Sequence, residues 1–209
     1  MRKGLVAVVP LLAVLILAPV ATAEDIWDPP WEIPDPTGTE ADWDFTTNEN
    51  PAYPEHVLNP YGEPFIELLL CDDYGVDPGL DGEYSTWHAG PPSGILHIQI
   101  HNDPNKGIRK EVFIQVTATN PPGVSSPNPG ATVGPGPYPQ IQHPGTGYYT
   151  YNYFMTIPGN PAIDYVTLDF PFCTYIEEIV IDTRCVPIPE PGLIAVFGLP
   201  ALLLLRKRK

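Results

Sequence analysis

Five carboxylates fall between positions 72 and 83, where Asp72, Asp73, Asp77, Asp81 and Glu83 share the chain with Gly75, Pro78, Gly79 and Gly82. Hard oxygen ligands on a backbone able to turn tightly suit calcium, which gathers about six to eight oxygens. The spacing is not that of an EF-hand, because the third carboxylate and the closing glutamate are displaced; an acidic surface loop that holds nothing tightly is the alternative. His97 and His101 share one face of an alternating segment, but four residues of strand hold them about 13 Å apart, too far to ligate one ion. His56, His88 and His143 have no Cys or His at zinc spacing. The serines are Ser85, Ser93, Ser125 and Ser126, and none sits in a G-x-S-x-G elbow. Glu177 and Glu178 make no glycosidase pair, because neighbours on a strand point to opposite faces. Binding or scaffolding is therefore expected in preference to catalysis.

Aromatic side chains are the other groups able to recognise a ligand. Trp27, Trp31, Trp87 and Tyr138 are candidates to stack on sugar rings while acids or amides hydrogen-bond the hydroxyls. Tyr149, Tyr151 and Tyr153 form a stripe at strand spacing whose opposite face, with Thr150, Asn152 and Thr156, is polar, so the stripe is assigned to the core with Trp43 and Phe45. Three cysteines, Cys71, Cys173 and Cys185, predict one disulfide and one leftover thiol in an oxidising compartment. Cys173 and Cys185 bracket a strand and would stand about 40 Å apart if extended, whereas a bridge needs Cα atoms within about 7 Å. Cys71 is then the shared partner. Cys173 is preferred opposite it, on the premise that residues 65–70 run antiparallel beside residues 175–183.

The elements that must position these groups read as strands. Residues 41–45 alternate apolar and acidic side chains, and 65–70 is a denser apolar run. Segments 95–101 and 111–119 separate an apolar face (Leu96, Ile98, Ile100; Val112, Ile114, Val116) from a wet one. Segments 148–157, 162–170 and 175–183 complete the set, with Pro-Gly-Asn-Pro at 158–161 as a turn. Seven or eight strands without intervening helix predict an all-β fold, a single antiparallel β-sandwich of jelly-roll type. Residues 27–40 are Pro-rich and expected to run extended over the sandwich, with Trp27 and Trp31 as anchors. Residues 120–147 show no apolar period and are expected to form a long loop. In pattern the strand set resembles galactose-binding-like domains, and that resemblance implies sugar binding at loops on one end and a structural calcium ion.

The two ends assign a destination. Arg2 and Lys3, an apolar run over 4–18, and Ala21 and Ala23 in an A-x-A site read as a signal peptide over 1–23, cut by signal peptidase. At the other end Pro189-Glu190-Pro191 is followed by a nearly all-apolar 192–205 and by Arg206, Lys207, Arg208 and Lys209. Fourteen helical residues cover about 21 Å, short of the roughly 30 Å hydrocarbon core, so this segment reads as a transient stop-transfer helix held by its basic end. The tripartite order over 187–209 resembles a PEP-CTERM sorting signal, which implies cleavage near the motif by an exosortase and delivery to a cell surface or extracellular matrix.

Charge narrows the partners of the body, residues 24–186. The chain carries −15 overall, but six of its ten basic residues lie in the two terminal segments. Between Glu24 and Glu190 only Lys106, Arg109, Lys110 and Arg184 face 25 acids, and positions 24–83 hold 17 acids with no Lys or Arg. So acidic a surface excludes nucleic acid and anionic lipid, whose binding is driven by counterion release onto basic residues. It leaves cations and neutral glycans, with extracellular polysaccharide as the expected partner. A surface or biofilm component without a discrete site is the structural alternative, and a small polysaccharide hydrolase or lyase the enzymatic one.

Overall fold

The computed structural model describes residues 27–31, 37–75, 86–90, 93–105 and 107–186, with the side chains of Asp72 and Asp73 excepted. Thirteen strands follow in order: β1 (Thr39–Trp43), β2 (His56–Leu58), β3 (Phe65–Leu69), β4 (Cys71–Tyr74), β5 (Trp87–Ala89), β6 (Ser93–His101), β7 (Arg109–Ala118), β8 (Gly123–Ser125), β9 (Thr132–Pro135), β10 (Ile141–Gln142), β11 (Tyr149–Pro158), β12 (Ile163–Pro171) and β13 (Tyr175–Val186). They form two antiparallel sheets and no helix among the described residues. The larger has nine strands, with the path β10-β11-β7-β13-β1-β2, β9 on β11 and the β4–β5 pair on β13; the smaller is β3-β6-β12-β8.

One apolar cluster lies between the sheets. Ile66 and Leu68 of β3, Leu96, Ile98 and Ile100 of β6, and Val166, Leu168 and Phe170 of β12 enter it from the smaller sheet. Val112, Ile114 and Val116 of β7, Met155 and Ile157 of β11, Ile179 and Ile181 of β13, and Trp43 of β1 enter from the larger. Each such apolar side chain removed from water contributes about 1.5–3 kcal/mol. The period-two patterns of the sequence account for this directly, because alternate positions on a pleated strand share a face.

β13 departs from strict alternation. Ile176 pairs with Ala118 and Glu178 with Thr117, leaving Glu177 as the extra residue of a bulge. Without it Glu178 would share the inward face of Ile176; with it Glu178 turns outward while Ile179 and Ile181 stay in the core. Separation of strand neighbours onto opposite faces therefore does not hold across Glu177 and Glu178, both of which are largely buried.

Several expectations are corrected. Asp72 and Asp73 lie on β4 rather than in a loop. Residues 120–147 contain β8, β9 and β10, because neighbouring long strands supply the ladder partners that this segment's own sequence does not announce. The 65–70 segment pairs with β6 in the smaller sheet, not with β13. Cys71 and Cys173 flank opposite sides of β5, Cys71 in register with Ala89 and Cys173 donating its N–H to the Ala89 carbonyl. Two strand spacings separate them by about 10 Å, beyond disulfide reach. No disulfide joins Cys71, Cys173 or Cys185. Ala21, Ala23, Asp77, Asp81, Glu83 and the Pro189-Glu190-Pro191 motif lie outside the described residues.

Candidate functional site

The outward face of the nine-stranded sheet gathers the polar groups. Asp42 and Asp44 are alternate positions at the end of β1, and the bulge brings Glu178 beside them. One carboxylate oxygen from each of the three lies within 4.8 Å of the others. Two oxygens that each bind one calcium ion at about 2.4 Å can be no farther apart than that, so Asp42, Asp44 and Glu178 could share a cation. Glu55 shapes the adjacent turn, accepting from the Asp44 N–H at 3.0 Å, from the Thr46 N–H at 2.7 Å and from the Thr46 hydroxyl at 2.8 Å.

A file of hydrogen bonds runs from this group across three strands. Thr117 Oγ1 donates to Glu178 Oε2 at 3.1 Å, Thr117 and Thr150 hydroxyls meet at 2.9 Å, and His143 Nε2 lies 2.8 Å from Thr150 Oγ1. Each hydroxyl has one proton to give. With Thr117 committed to the carboxylate, Thr150 donates to Thr117 and His143 must donate from Nε2. Burial holds the His143 ring below the ordinary histidine range.

The remainder of that face is covered. Phe113, wholly buried although it points away from the inter-sheet core, lies under Tyr138 edge-on at 5.8 Å. Trp27 stacks on Tyr138 at 5.5 Å and 11°. Gln115 clamps the backbone of Trp27, its Nε2 donating to the Trp27 carbonyl at 2.9 Å and its Oε1 accepting the Trp27 N–H at 3.2 Å. Tyr138 donates to the Asp28 carbonyl at 2.9 Å. Trp31 meets Phe154 edge-on and carries the Arg184 guanidinium 4.8 Å from its ring centre. Arg184 and Arg109 together hold the buried Glu111 carboxylate, at 2.7 and 2.8 Å. Residues 27–31 thus lie over the sheet with both tryptophans as anchors.

A second polar group sits between the sheets at one end. Lys110 of β7 is in register with Cys185 of β13, and both point inward. Lys110 and Asp164, from facing sheets, are each 0% exposed, and Asn102 is 7% exposed. Lys110 Nζ lies 3.7 Å from Cys185 Sγ, and that thiol donates to Asn160 Oδ1 at 3.4 Å. Burial raises the Asp164 carboxyl to about 6 against the opposing pull of the Lys110 charge and the Asn102 amide. Burial also pushes the Cys185 thiol up, opposed by Lys110.

The sequence candidates scatter over this frame. Trp87 is 7% exposed and belongs to the core, packed on Tyr74, which removes it as an outward platform. Trp27, Trp31 and Tyr138 come together, but they engage each other and the sheet. The Asp42, Asp44 and Glu178 group is not evident from the sequence; alternate acids on 41–45 are visible there, but their meeting with Glu178 depends on the β1–β13 register and the bulge. The Lys110, Asp164, Asn102 group has the one signal of a lysine and an aspartate on otherwise apolar strand faces. No family model matches the chain, and neither a curated protein nor a solved structure matches it.

Proposed function

We propose that this is an exported, tail-sorted protein of the cell surface or extracellular matrix, whose body is a jelly-roll-like sandwich that scaffolds extracellular polysaccharide and is not an enzyme. The export leader, the tail resembling an exosortase substrate and the acidic body support the destination. The observation that carries the mode of binding is the convergence of Asp42, Asp44 and Glu178 on an outward sheet face. Hydroxyl- or carboxylate-bearing glycans meet such a surface through a shared divalent cation, since calcium accepts ligands from both sides. The aromatic rings favour this over direct sugar stacking, because Trp27, Trp31 and Tyr138 are engaged in holding residues 27–31 to the sheet.

Co-sedimentation of the mature chain with the exopolysaccharide of its own producer, in calcium and then in chelator, tests the reading. Saturable retention that chelator releases and Asp44→Asn weakens is the expected result. Retention unchanged by chelator, or by Asp44→Asn, would remove the cation bridge, and no retention at all would leave a surface protein without a discrete glycan site.

A further inference from the structure

The inter-sheet polar group has the composition of a self-crosslinking centre: a wholly buried lysine, a wholly buried aspartate and a buried asparagine whose carbonyl Oδ1 accepts no hydrogen bond. Lys110 starts on β7 in the larger sheet. Asp164 starts on β12 in the smaller sheet, in register with Ile100 of β6. Asn102 follows β6 immediately and is pinned beside β12 by its N–H bond to the Ala162 carbonyl at 2.9 Å. Facing sheets lie about 10 Å apart, a gap that an extended lysine stem from one side and a short side chain from the other together span. The Lys110 charge and the Asn102 amide both act on the Asp164 carboxyl, so the three groups share one dry site.

We propose that Lys110 and Asn102 join through an intramolecular amide bond, Nζ to Cγ, with Asp164 moving the protons. Burial penalises the separated charges of ammonium and carboxylate, and a proton passing from Lys110 to Asp164 leaves a neutral amine facing a neutral acid. The amine lone pair adds to Asn102 Cγ while the Asp164 carboxyl protonates Oδ1. The carboxylate then takes a proton from Nζ and passes it to Nδ2. The Cγ–Nδ2 bond breaks, the Oδ1 proton returns to the aspartate, and ammonia leaves. One amine and one primary amide become one secondary amide and ammonia, with no oxidant or reductant. Fixed proximity supplies the rate that free amines and amides lack in water.

Asn160 is the less suitable electrophile. Its Oδ1 accepts from Cys185, and its Nδ2 donates to the Asp103 carbonyl at 2.9 Å. Cys185 anchors that amide, and burial keeps its thiol protonated and so a poor competing nucleophile. The new bond would clasp the two sheets at the end where β13 finishes, whether or not the body meets a polysaccharide.

Mass spectrometry of the full-length protein, reduced and denatured after purification in the folded state, is the test. The expected mass is lighter than that of its own processed sequence by one ammonia, and digestion yields a branched peptide joining Lys110 to Asn102. Lys110→Arg and Asp164→Asn each return the unmodified mass. An unmodified wild-type mass, or ammonia loss mapped to Asn160 or to any other residue, overturns the proposal. Both wild-type readouts need no variant, so misfolding of a variant would not blunt the test.

Discussion

Two acidic groups in this molecule are built from similar residues and differ in what faces them. Asp42, Asp44 and Glu178 converge on an outward sheet face, where Glu178 is buried, Asp42 nearly so and Asp44 half-buried, and the Thr117 hydroxyl reaches Glu178. Asp164 sits between the sheets with Lys110, where neither is exposed and the carboxyl is raised to about 6. The first arrangement suits binding, because three carboxylates converge within the reach of one divalent ion. The second suits proton transfer and bond formation, because a dry site brings the acid and amine forms close in energy. The lysine that faces Asp164, more than burial, separates the two.

Beyond the carboxylates the outward face is a second packed layer, with Phe113 under Tyr138. The largest expected effect tests that. Phe113→Ala should destabilise the chain by about 3–5 kcal/mol, as for a core phenylalanine, in equilibrium urea unfolding. A loss below about 1 kcal/mol would mean that the Tyr138 cover is loose. Next comes calcium. At a free concentration a hundredfold above its dissociation constant it should stabilise the fold by about 2.7 kcal/mol, and Asp44→Asn should abolish the gain. An unchanged melting temperature in calcium and chelator would rule out the shared cation.

Arg184→Ala should cost about 2 kcal/mol, because Glu111 stays buried with Arg109 alone and Trp31 loses its cationic neighbour. Arg184→Lys should recover only part of it, since an ammonium keeps the charge and loses the planar stacking. Full recovery in the same unfolding assay would reduce the role of Arg184 to simple charge. The smallest effect concerns His143. Its folded value lies below the ordinary 6.5 because burial favours the neutral ring. Stability from that neutral ring is complete above 6.5 and is lost as pH falls through the lower folded value. The unfolding midpoint of wild type should therefore fall on acidification more than that of His143→Gln, and equal slopes would mean that burial does not hold the ring neutral.

The strands most legible in the sequence were those with one apolar face. Positions 95–101, 111–119, 148–157 and 162–170 alternate and became β6, β7, β11 and β12, and the apolar run 175–183, whose alternation breaks at Glu177, became β13, with shifts of a few residues at their ends. Trp43 and Phe45 were assignable to the core because alternation set them against Asp42 and Asp44. The short strands β8, β9 and β10 were not legible, since a strand of two to four residues has too few positions to show a period. Trp87 was misplaced for a related reason: β5 has three residues, and its burial comes from lying between β4 and β13.

Local order in the chain determined the all-β class, the longer strands, the acidity of the body and the separate character of the two ends, because periodicity and composition depend only on neighbours. Tertiary structure decided which sheet each strand joined, and with it the fate of the side chains that matter most. The placing of β3 in the sheet opposite β13 cancelled the expected approach of Cys71 to Cys173. The bulge at Glu177 turned Glu178 toward Asp42 and Asp44, and the facing of β7 by β12 brought Asp164 to Lys110. Each of these meetings joins residues far apart in sequence, so its energy depends on register and packing that no local pattern encodes.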